Sequence, residues 1–268
     1  MRSSPDPGGH SSLEQAFRSC LRDDAATLAA QAEVGVLVAM FDLGDWQPYL
    51  SGAAGLIDVQ ETARAERQRL RPNRDVLVLA YALHRLLLSQ VLGCAIGDVA
   101  LGRDAKGCPR LRGDRLFTSL SHAGQRVAIA VAGAGPVGID VESAGRAAEM
   151  PELAGRVAHP DELRELSTLA PRVLGEALLS MWVRKEALLK AAGIGLEREM
   201  DSFVAPWDVA LPLPGETFPG RSVELRVLDA PGWAGAVAVP PGAAIVPVAP
   251  ARDRLAPGPL AANRGGTR

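Results

Sequence analysis

Residues 137–142 read Val-Gly-Ile-Asp-Val-Glu, and this alternation of apolar and acidic side chains predicts a β-strand. On a strand, Ile139 and Val141 face one side, whereas Asp140 and Glu142 face the other. Two carboxylates on one face are placed to share a hard cation through their oxygens. The alternative is a strand edge with its polar face in water. The spacing alone favours that alternative, because D-x-E is a common pattern.

A long helix is predicted over Leu174–Ala192, because a period of apolar residues there is followed by two glycines that act as a stop signal. Trp182, Glu186 and Lys190 follow one another at intervals of four residues and so share one helix face. On the spacing alone, an ordinary surface ion pair between Glu186 and Lys190 is the better explanation. The tryptophan on the same face favours the wall of a cleft instead.

Lysine is rare in this chain, and its positions are therefore informative. Lys106, Lys185 and Lys190 are the only lysines among the 29 basic residues. Lysine is a compact point charge that suits a phosphate group, whereas arginine is a planar fork. Lys185 and Lys190, both on the predicted helix, are therefore candidates for contact with a phosphate.

The segment SLSHAG at 119–124 predicts a turn between strands at Phe117–Leu120 and Val127–Val131. Ser121 and His122 are adjacent, so on a strand they face apart and do not pair as nucleophile and base. A histidine at a strand end is most often a plain hydrogen-bonding residue. Contact with a phosphate or a base is the functional alternative.

The remaining segments indicate an α+β protein rather than a regular βαβ array. The stretch at about 63–92 is rich in arginine at first and then apolar, and it predicts a helix. The other segments predict strands at Val34–Phe41, Ser202–Ala205, Val223–Leu228 and Ala234–Val239. The predicted organisation is a partly disordered N-terminal extension at 1–33, with a Pro-, Gly- and Ser-rich leader at 1–12, an α+β half at 34–133, a second α+β half at 134–245 and a disordered tail at 246–268.

Composition excludes several classes of protein. The chain has 268 residues, 47% of them hydrophobic, and a net charge of −2, so no overall charge attracts nucleic acid or an anionic membrane. Three cysteines are too few and too scattered for a disulfide framework or a zinc site. No secretory signal and no apolar run of roughly 18 residues is visible. We therefore expect a cytoplasmic protein.

Four motifs together resemble one enzyme family. They are GCPRL at 107–111, SLSHAG at 119–124, GIDVE at 138–142 and WVRKEALLKAAG at 182–193. In this order and at these separations they are similar to the 4′-phosphopantetheinyl transferases of the larger, surfactin-synthetase-activating type. Such enzymes move phosphopantetheine from coenzyme A to a serine of a carrier protein. The resemblance implies a monomer of two similar α+β halves related by a pseudo-twofold axis, with coenzyme A between them.

The resemblance also implies roles for individual residues. Asp140, Glu142 and Glu186 would hold Mg²⁺, Lys190 would contact the pyrophosphate, and Glu186 is a candidate base for the incoming serine. The nucleotide end of coenzyme A would lie against a set of polar and basic side chains: Ser121, His122, Lys185, Arg64 and Arg67. Glu162, in the segment RVAHPDEL, matches a further acidic position of the family near the metal.

Two positions depart from the family pattern. Cys108 stands where the family has the lysine of G-K-P, and Val78 stands where it often has an arginine. Both family residues contact coenzyme A phosphates, so neighbouring arginines such as Arg64 and Arg67 would have to compensate. A coenzyme A or carrier-protein binding module without catalysis is therefore the alternative function. The identity of the carrier, from fatty-acid, polyketide or nonribosomal-peptide assembly, stays open, as does the acceptance of acyl-coenzyme A.

Overall fold

The computed structural model describes residues 8–104, 106–113 and 116–248. The helices are α1 Gly8–Cys20, α2 Ala25–Val34, α3 Leu43–Trp46, α4 Leu50–Ala53, α5 Val59–Glu66, α6 Arg71–Leu92, α7 Ala154–Val157, α8 Pro160–Leu166 and α9 Pro171–Ala192. The strands are β1 Gly35–Asp42, β2 Leu101–Arg103, β3 Pro109–Leu111, β4 Phe117–Ala123, β5 Arg126–Ala132, β6 Gly138–Ser143, β7 Ala210–Pro212, β8 Ser222–Val227, β9 Trp233–Val239 and β10 Ala244–Val248.

The two halves repeat one topology. In the first half the strand β1 is followed by the long helix α6 and the hairpin β4–β5, and the sheet order is β10-β1-β5-β4. In the second half β6 is followed by α9 and the hairpin β8–β9, and the order is β6-β9-β8-β7. In both sheets the first strand pairs antiparallel with the last strand of the hairpin. The predicted α+β fold with two similar halves is thus confirmed.

The long helices of the two halves also begin and end alike. Both α6 and α9 have 22 residues and carry a proline in the first turn, where its missing N–H costs nothing. Gly93 ends α6 with φ 61° and Gly193 ends α9 with φ 67°. This left-handed conformation is open to glycine at little steric cost. The helix ends are therefore set by local sequence.

The first sheet is covered on both faces. Leu37 and Phe41 of β1 pack with the apolar side of α6. The alternate residue Val36 faces the opposite way and packs with Ile139 and Val141 of β6. On the far side of the second sheet, α9 closes a separate core. The order of layers is helices, sheet, sheet, helix, and the two sheets meet where β4 approaches β6.

The contact between β6 and α9 leaves no room for a side chain at Gly138. A Cβ at this position would lie 1.9 Å from the Ala187 carbonyl oxygen and 2.5 Å from the Ala191 nitrogen. Because Asp140 and Glu142 follow at intervals of two residues, they point to the same side of β6 as Gly138. The absence of a side chain at Gly138 therefore brings both carboxylates close to α9.

Several predictions need correction. Ser202–Ala205 is not a strand, because a 3₁₀ turn ends at Ser202 and an irregular segment follows. The N-terminal extension contains α1 and α2, and its buried side chains Leu13, Phe17 and Leu28 belong to the first core. Residues 246–248 are part of β10, which pairs parallel with β1. The parts of the predicted leader and tail at 1–7 and 249–268 lie outside the described residues.

Helix α6 is long and apolar enough to span a membrane, with a mean hydropathy of 1.4 over 18 residues, and 78% of that window is buried inside the protein. Its apolar stretch is interrupted by His84 and Arg85, so it is not a continuous apolar run. Arg85 is buried in ion pairs with Glu61, at 2.6 Å, and Asp58, at 2.5 Å. These contacts identify α6 as the central helix of the first core. The cytoplasmic location stays a prediction.

We expect Gly138→Ala to destabilise the protein by about 3 kcal/mol or more, because the added methyl group meets backbone atoms that cannot move aside. Gly155→Ala is the matched control, since a Cβ there meets nothing within 4 Å. The control is expected to change the free energy of unfolding by no more than about 1 kcal/mol. Urea unfolding measures both values, and equal values would show that the close approach of α9 is not needed.

Candidate active site

A cleft of about 1070 Å³ lies between the two halves. Strand β4 and the hairpin β2–β3 form its wall on the first half, while β6 and α9 form its wall on the second. Its polar and charged lining includes Arg64, Arg103, Lys106, Arg110, Ser121, His122, Asp140, Glu142, Glu186, Lys190 and Arg221. Acidic residues come from β6 and α9, and most of the basic ones come from the first half.

Asp140 is the most enclosed acidic group of the cleft, with its side chain 6% exposed. Its Oδ1 accepts hydrogen bonds from Lys190 Nζ at 2.6 Å and from Ser121 Oγ at 2.7 Å. Its Oδ2 is buried and has no hydrogen-bond partner. Ser121 also accepts from Lys190 Nζ at 3.1 Å, so β4, β6 and α9 meet in one hydrogen-bonded group.

Strand β4 holds β6 through its serine hydroxyls. Ile139 N–H donates to Ser119 Oγ at 3.1 Å, and Val141 N–H lies 3.4 Å from Ser121 Oγ. These two N–H groups flank Asp140, and both would otherwise be buried without a partner. The serines of the SLS segment thus fix the backbone on either side of the carboxylate.

Glu142 and Glu186 complete an acidic group. Glu142 forms an ion pair with Arg146. Burial raises the pKa of the Glu186 carboxyl to about 7, and the nearby charges of Asp140 and Glu142 act in the same direction. Burial and the charge of Asp140 likewise raise the pKa of Glu142. Three carboxylates that repel one another therefore face a region that favours positive charge.

The other end of the cleft is basic. Arg64 on α5 lies against Gly107 and places its Nε 3.4 Å from the Tyr81 hydroxyl. Arg103 stacks on the Tyr81 ring, with 5.0 Å from its Cζ to the ring centroid. Arg110 crosses to the second half, where it lies over Phe218 at 4.8 Å. Arg64, Arg103 and Arg110 form what we call the basic corridor. A row of cations such as this suits a ligand that carries several phosphate groups.

Residues 136–215, which contain the acidic group and Lys190, match the 4′-phosphopantetheinyl transferase superfamily. The chain carries a domain of this superfamily. The prediction of a transferase is confirmed at this level. Its assignment to the surfactin-synthetase-activating type stays a prediction.

Two named relatives support the assignment. The 4′-phosphopantetheinyl transferase HetI of Nostoc is 29% identical over 168 residues, which cover 60% of this chain and 70% of HetI. A Synechocystis protein, provisionally named a 4′-phosphopantetheinyl transferase, is 28% identical over 180 residues. The match covers 64% of this chain and 72% of the Synechocystis protein. A holo-ACP-synthase structure from Plasmodium yoelii overlaps 39% of this chain and 92% of its own, with 22% identity and a TM-score of 0.33.

The structure brings together most of the predicted superfamily site residues. The cleft contains Arg64, Ser121, His122, Asp140, Glu142, Glu186 and Lys190, together with Cys108. His122 is partly open to solvent, but reduced hydration at the cleft wall and the charge of Lys190 lower the pKa of its imidazole. Arg103 and Arg221 also line the cleft, but arginines are so frequent in this chain that no single one is distinctive in the sequence. Lys106 lines it too, outside the helix that carries the other two lysines.

Lys185 and Glu162 lie elsewhere, contrary to the predicted roles. The Lys185 side chain is fully buried and donates to Glu162 Oε2 at 2.5 Å and to the carbonyl oxygens of Val157 and Met200, each at 2.9 Å. Lys185 therefore does not contact a ligand in the cleft. Glu162 also caps α8, accepting from the His159 N–H at 2.9 Å, and it does not line the cleft.

Two other positions are also displaced from the cleft. Arg67 lines a shallower neighbouring groove of about 520 Å³ rather than the cleft itself. Val78 is half-buried, packs beside Tyr81 and does not itself line the cleft. Of the two residues that depart from the family pattern, only Cys108 lines it.

The acidic group fits a divalent cation by its chemistry. Carboxylate oxygens are the ligands that Mg²⁺ prefers, and the unpartnered Oδ2 of Asp140 is a free ligand atom. Within the described part of the chain, however, no three His, Cys, Asp or Glu side chains converge into a metal site. Lys190 and Arg146 hold two of the carboxylates. The Mg²⁺ site thus stays a prediction whose donors are present.

We expect Glu186→Gln to stabilise the protein increasingly as the pH rises. The folded pKa of about 7 lies above the ordinary 4.5, so the carboxyl stabilises the fold below about pH 4.5 and loses that contribution as the pH rises through 7. The stability advantage of the variant should grow by about 2 kcal/mol between about pH 5 and about pH 8. Urea unfolding at both pH values measures it.

Glu152→Gln, at an exposed carboxylate, is the control for the loss of one negative charge. Its stability relative to the wild type should stay nearly constant over the same range. If Glu186→Gln behaves like this control, the Glu186 carboxyl does not experience the repulsion described above.

Proposed function

We propose that the protein transfers 4′-phosphopantetheine from coenzyme A to a serine of an apo carrier protein, with Mg²⁺ as cofactor and release of 3′,5′-ADP. One observation carries the proposal. The basic corridor of the first half leads to the acidic group and Lys190 of the second half, all within one cleft. A ligand with a phosphorylated nucleotide at one end and a pyrophosphate near the carboxylates matches this distribution of charge.

Within this proposal, Asp140, Glu142 and Glu186 hold the cation. Bound there, Mg²⁺ neutralises the charge that develops on the pyrophosphate. Lys190, whose Nζ is within 2.6 Å of Asp140, adds a positive charge at the same place. Arg64 and His122 bind the nucleotide end, where their positive charge or N–H groups meet phosphate oxygens.

The transfer needs no nucleophile from this chain. The serine oxygen of the carrier attacks the β-phosphorus of coenzyme A, a Ser O–P bond forms, and the P–O bond to the bridging oxygen breaks. The bridging oxygen leaves as part of 3′,5′-ADP. The serine proton passes to Glu186, directly or through water.

We propose that a single chain is the working unit, since one chain supplies both walls of the cleft. We also propose a cytoplasmic location, because the enzyme needs coenzyme A and apo carrier proteins in the same compartment. Assignment to the surfactin-synthetase-activating type is supported by the two halves joined in one chain and by the motifs at 119–124, 138–142 and 182–193.

The direct test is incubation with coenzyme A, Mg²⁺ and a panel of apo carrier proteins from fatty-acid, polyketide and nonribosomal-peptide assembly. We expect mass spectrometry to show the gain of one phosphopantetheine on at least one carrier. Asp140→Ala should lower kcat/KM by about 100-fold or more, because it removes the ligand atoms and the partner of Lys190. Asp161→Ala, at an exposed aspartate of α8, is the control.

Binding of coenzyme A without transfer to any carrier would contradict the proposal and support the binding-module alternative. Near wild-type transfer by Asp140→Ala at saturating Mg²⁺ would remove Asp140 from the cation site.

The two lysines of α9, Lys185 and Lys190, should respond differently to replacement. Lys190→Ala is expected to raise the barrier to transfer by about 2–4 kcal/mol, and Lys190→Arg should retain part of the activity, because the charge is kept. Lys185→Met should instead lower the free energy of unfolding by about 2–3 kcal/mol, since the buried Glu162 loses its closest cation and keeps only Arg184, at 3.3 Å.

The KM for coenzyme A of folded Lys185→Met should match that of the wild type. Steady-state kinetics and urea unfolding on both variants give these values. An increase in KM for the Lys185 variant would show that this residue contacts the ligand after all.

A further inference from the structure

Arg146 is a charged side chain at the acidic group to which neither the sequence motifs nor the proposed reaction gives a role. It lies in the 3₁₀ turn Ala144–Ala148, directly after β6. Its guanidinium forms an ion pair with Glu142 and lies over the Trp182 ring, 4.4 Å from the ring centroid. Both side chains of the ion pair are largely shielded from water, with 27% of Arg146 and 22% of Glu142 exposed.

The position of Arg146 is built into the fold. A Cβ at Gly175 would lie 2.2 Å from the Ala147 carbonyl oxygen, so the turn packs directly on the backbone of α9. Trp182 follows Gly175 by two helical turns and lies on the same face of α9. The close contact at Gly175 and the platform at Trp182 together hold the guanidinium beside Glu142. An exposed ion pair at this spacing would not need either feature.

Arg146 competes with a cation for the Glu142 carboxylate, because its guanidinium already contacts one of the two oxygens. Lys190 already holds Asp140, and Arg146 holds Glu142, so two internal cations offset most of the charge of the three carboxylates. A divalent cation at Glu142 would lie close to the guanidinium and would repel it. Each of the two cations therefore weakens the contact of the other with this carboxylate.

We infer that Arg146 is an internal counterion of Glu142 and that a divalent cation binds at the acidic group by displacing it. The inference rests on the cation site of the proposed function. It makes Arg146 a positioning residue that weakens cation binding at Glu142.

The test is a calorimetric titration of the whole protein with Mn²⁺ alone, without coenzyme A or carrier. Arg146→Ala is expected to bind Mn²⁺ about tenfold more tightly than the wild type, because the competing charge-assisted contact is gone. Arg146→Lys, which keeps the ion pair, should lie between the two. Glu142→Gln should lose most of the affinity, which verifies that the heat comes from this site.

Two further variants separate displacement from a general effect of charge. Arg156→Ala removes an exposed arginine from α7 and should leave the affinity unchanged. Trp182→Leu keeps every charge but removes the platform of the guanidinium. It should tighten Mn²⁺ binding at least twofold if Arg146 competes by contact, and it should have no effect if only the long-range field matters. Circular dichroism confirms that each variant is folded.

Unchanged or weaker Mn²⁺ binding by Arg146→Ala would overturn the inference, and so would the absence of Mn²⁺ binding to both proteins. The transfer assay is independent of this titration. Transfer by the wild type with no effect of Arg146→Ala on Mn²⁺ affinity would refute this inference alone. The expected Mn²⁺ affinities with no transfer to any carrier would refute the proposed function alone.

Discussion

The packing of α9 directly on β6 at Gly138 is the contact on which the rest of the structure depends. No side chain separates the two backbones at Gly138. Asp140 and Glu142 of β6 therefore lie beside the face of α9 that carries Glu186 and Lys190. Asp140 thereby contacts Lys190, and Glu142 comes within electrostatic range of Glu186. Carboxylates so close together repel one another and destabilise the fold, which is the usual consequence of a preformed charged site.

Local patterns in the sequence were sufficient for the main elements of the fold. The strand at 138–142 and the long helix ended by Gly193 were both predicted, because alternation, helical period and a glycine stop signal are local properties. The position of β10 could not be predicted in this way. Its parallel partner β1 is about two hundred residues earlier in the chain, and the prolines at 240, 241, 247 and 250 resemble those of a loop.

The site was predictable only in part, for a geometric reason. Lys185 and Glu186 are adjacent in the motif, but successive residues of a helix point about 100° apart, so one lies in a buried network and the other in the cleft. Helix stop signals and the D-x-E pattern do not show which face of a helix or strand is covered by a neighbouring element of the fold. Arg146 was not selected for a similar reason, since its meaning comes from Trp182, 36 positions away in the sequence, and not from its neighbours.

The return of β10 to the first sheet has a consequence for how the protein forms during synthesis. The ribosome releases β1 early, yet its edge partner emerges only after the entire second half has been made. Until then β1 exposes one edge of unpaired backbone groups, which is a template for pairing with another chain. The first half is therefore complete only when the last part of the described chain has been made. Loss of residues 244–248 should destabilise the first half, although these residues are far from it in the sequence.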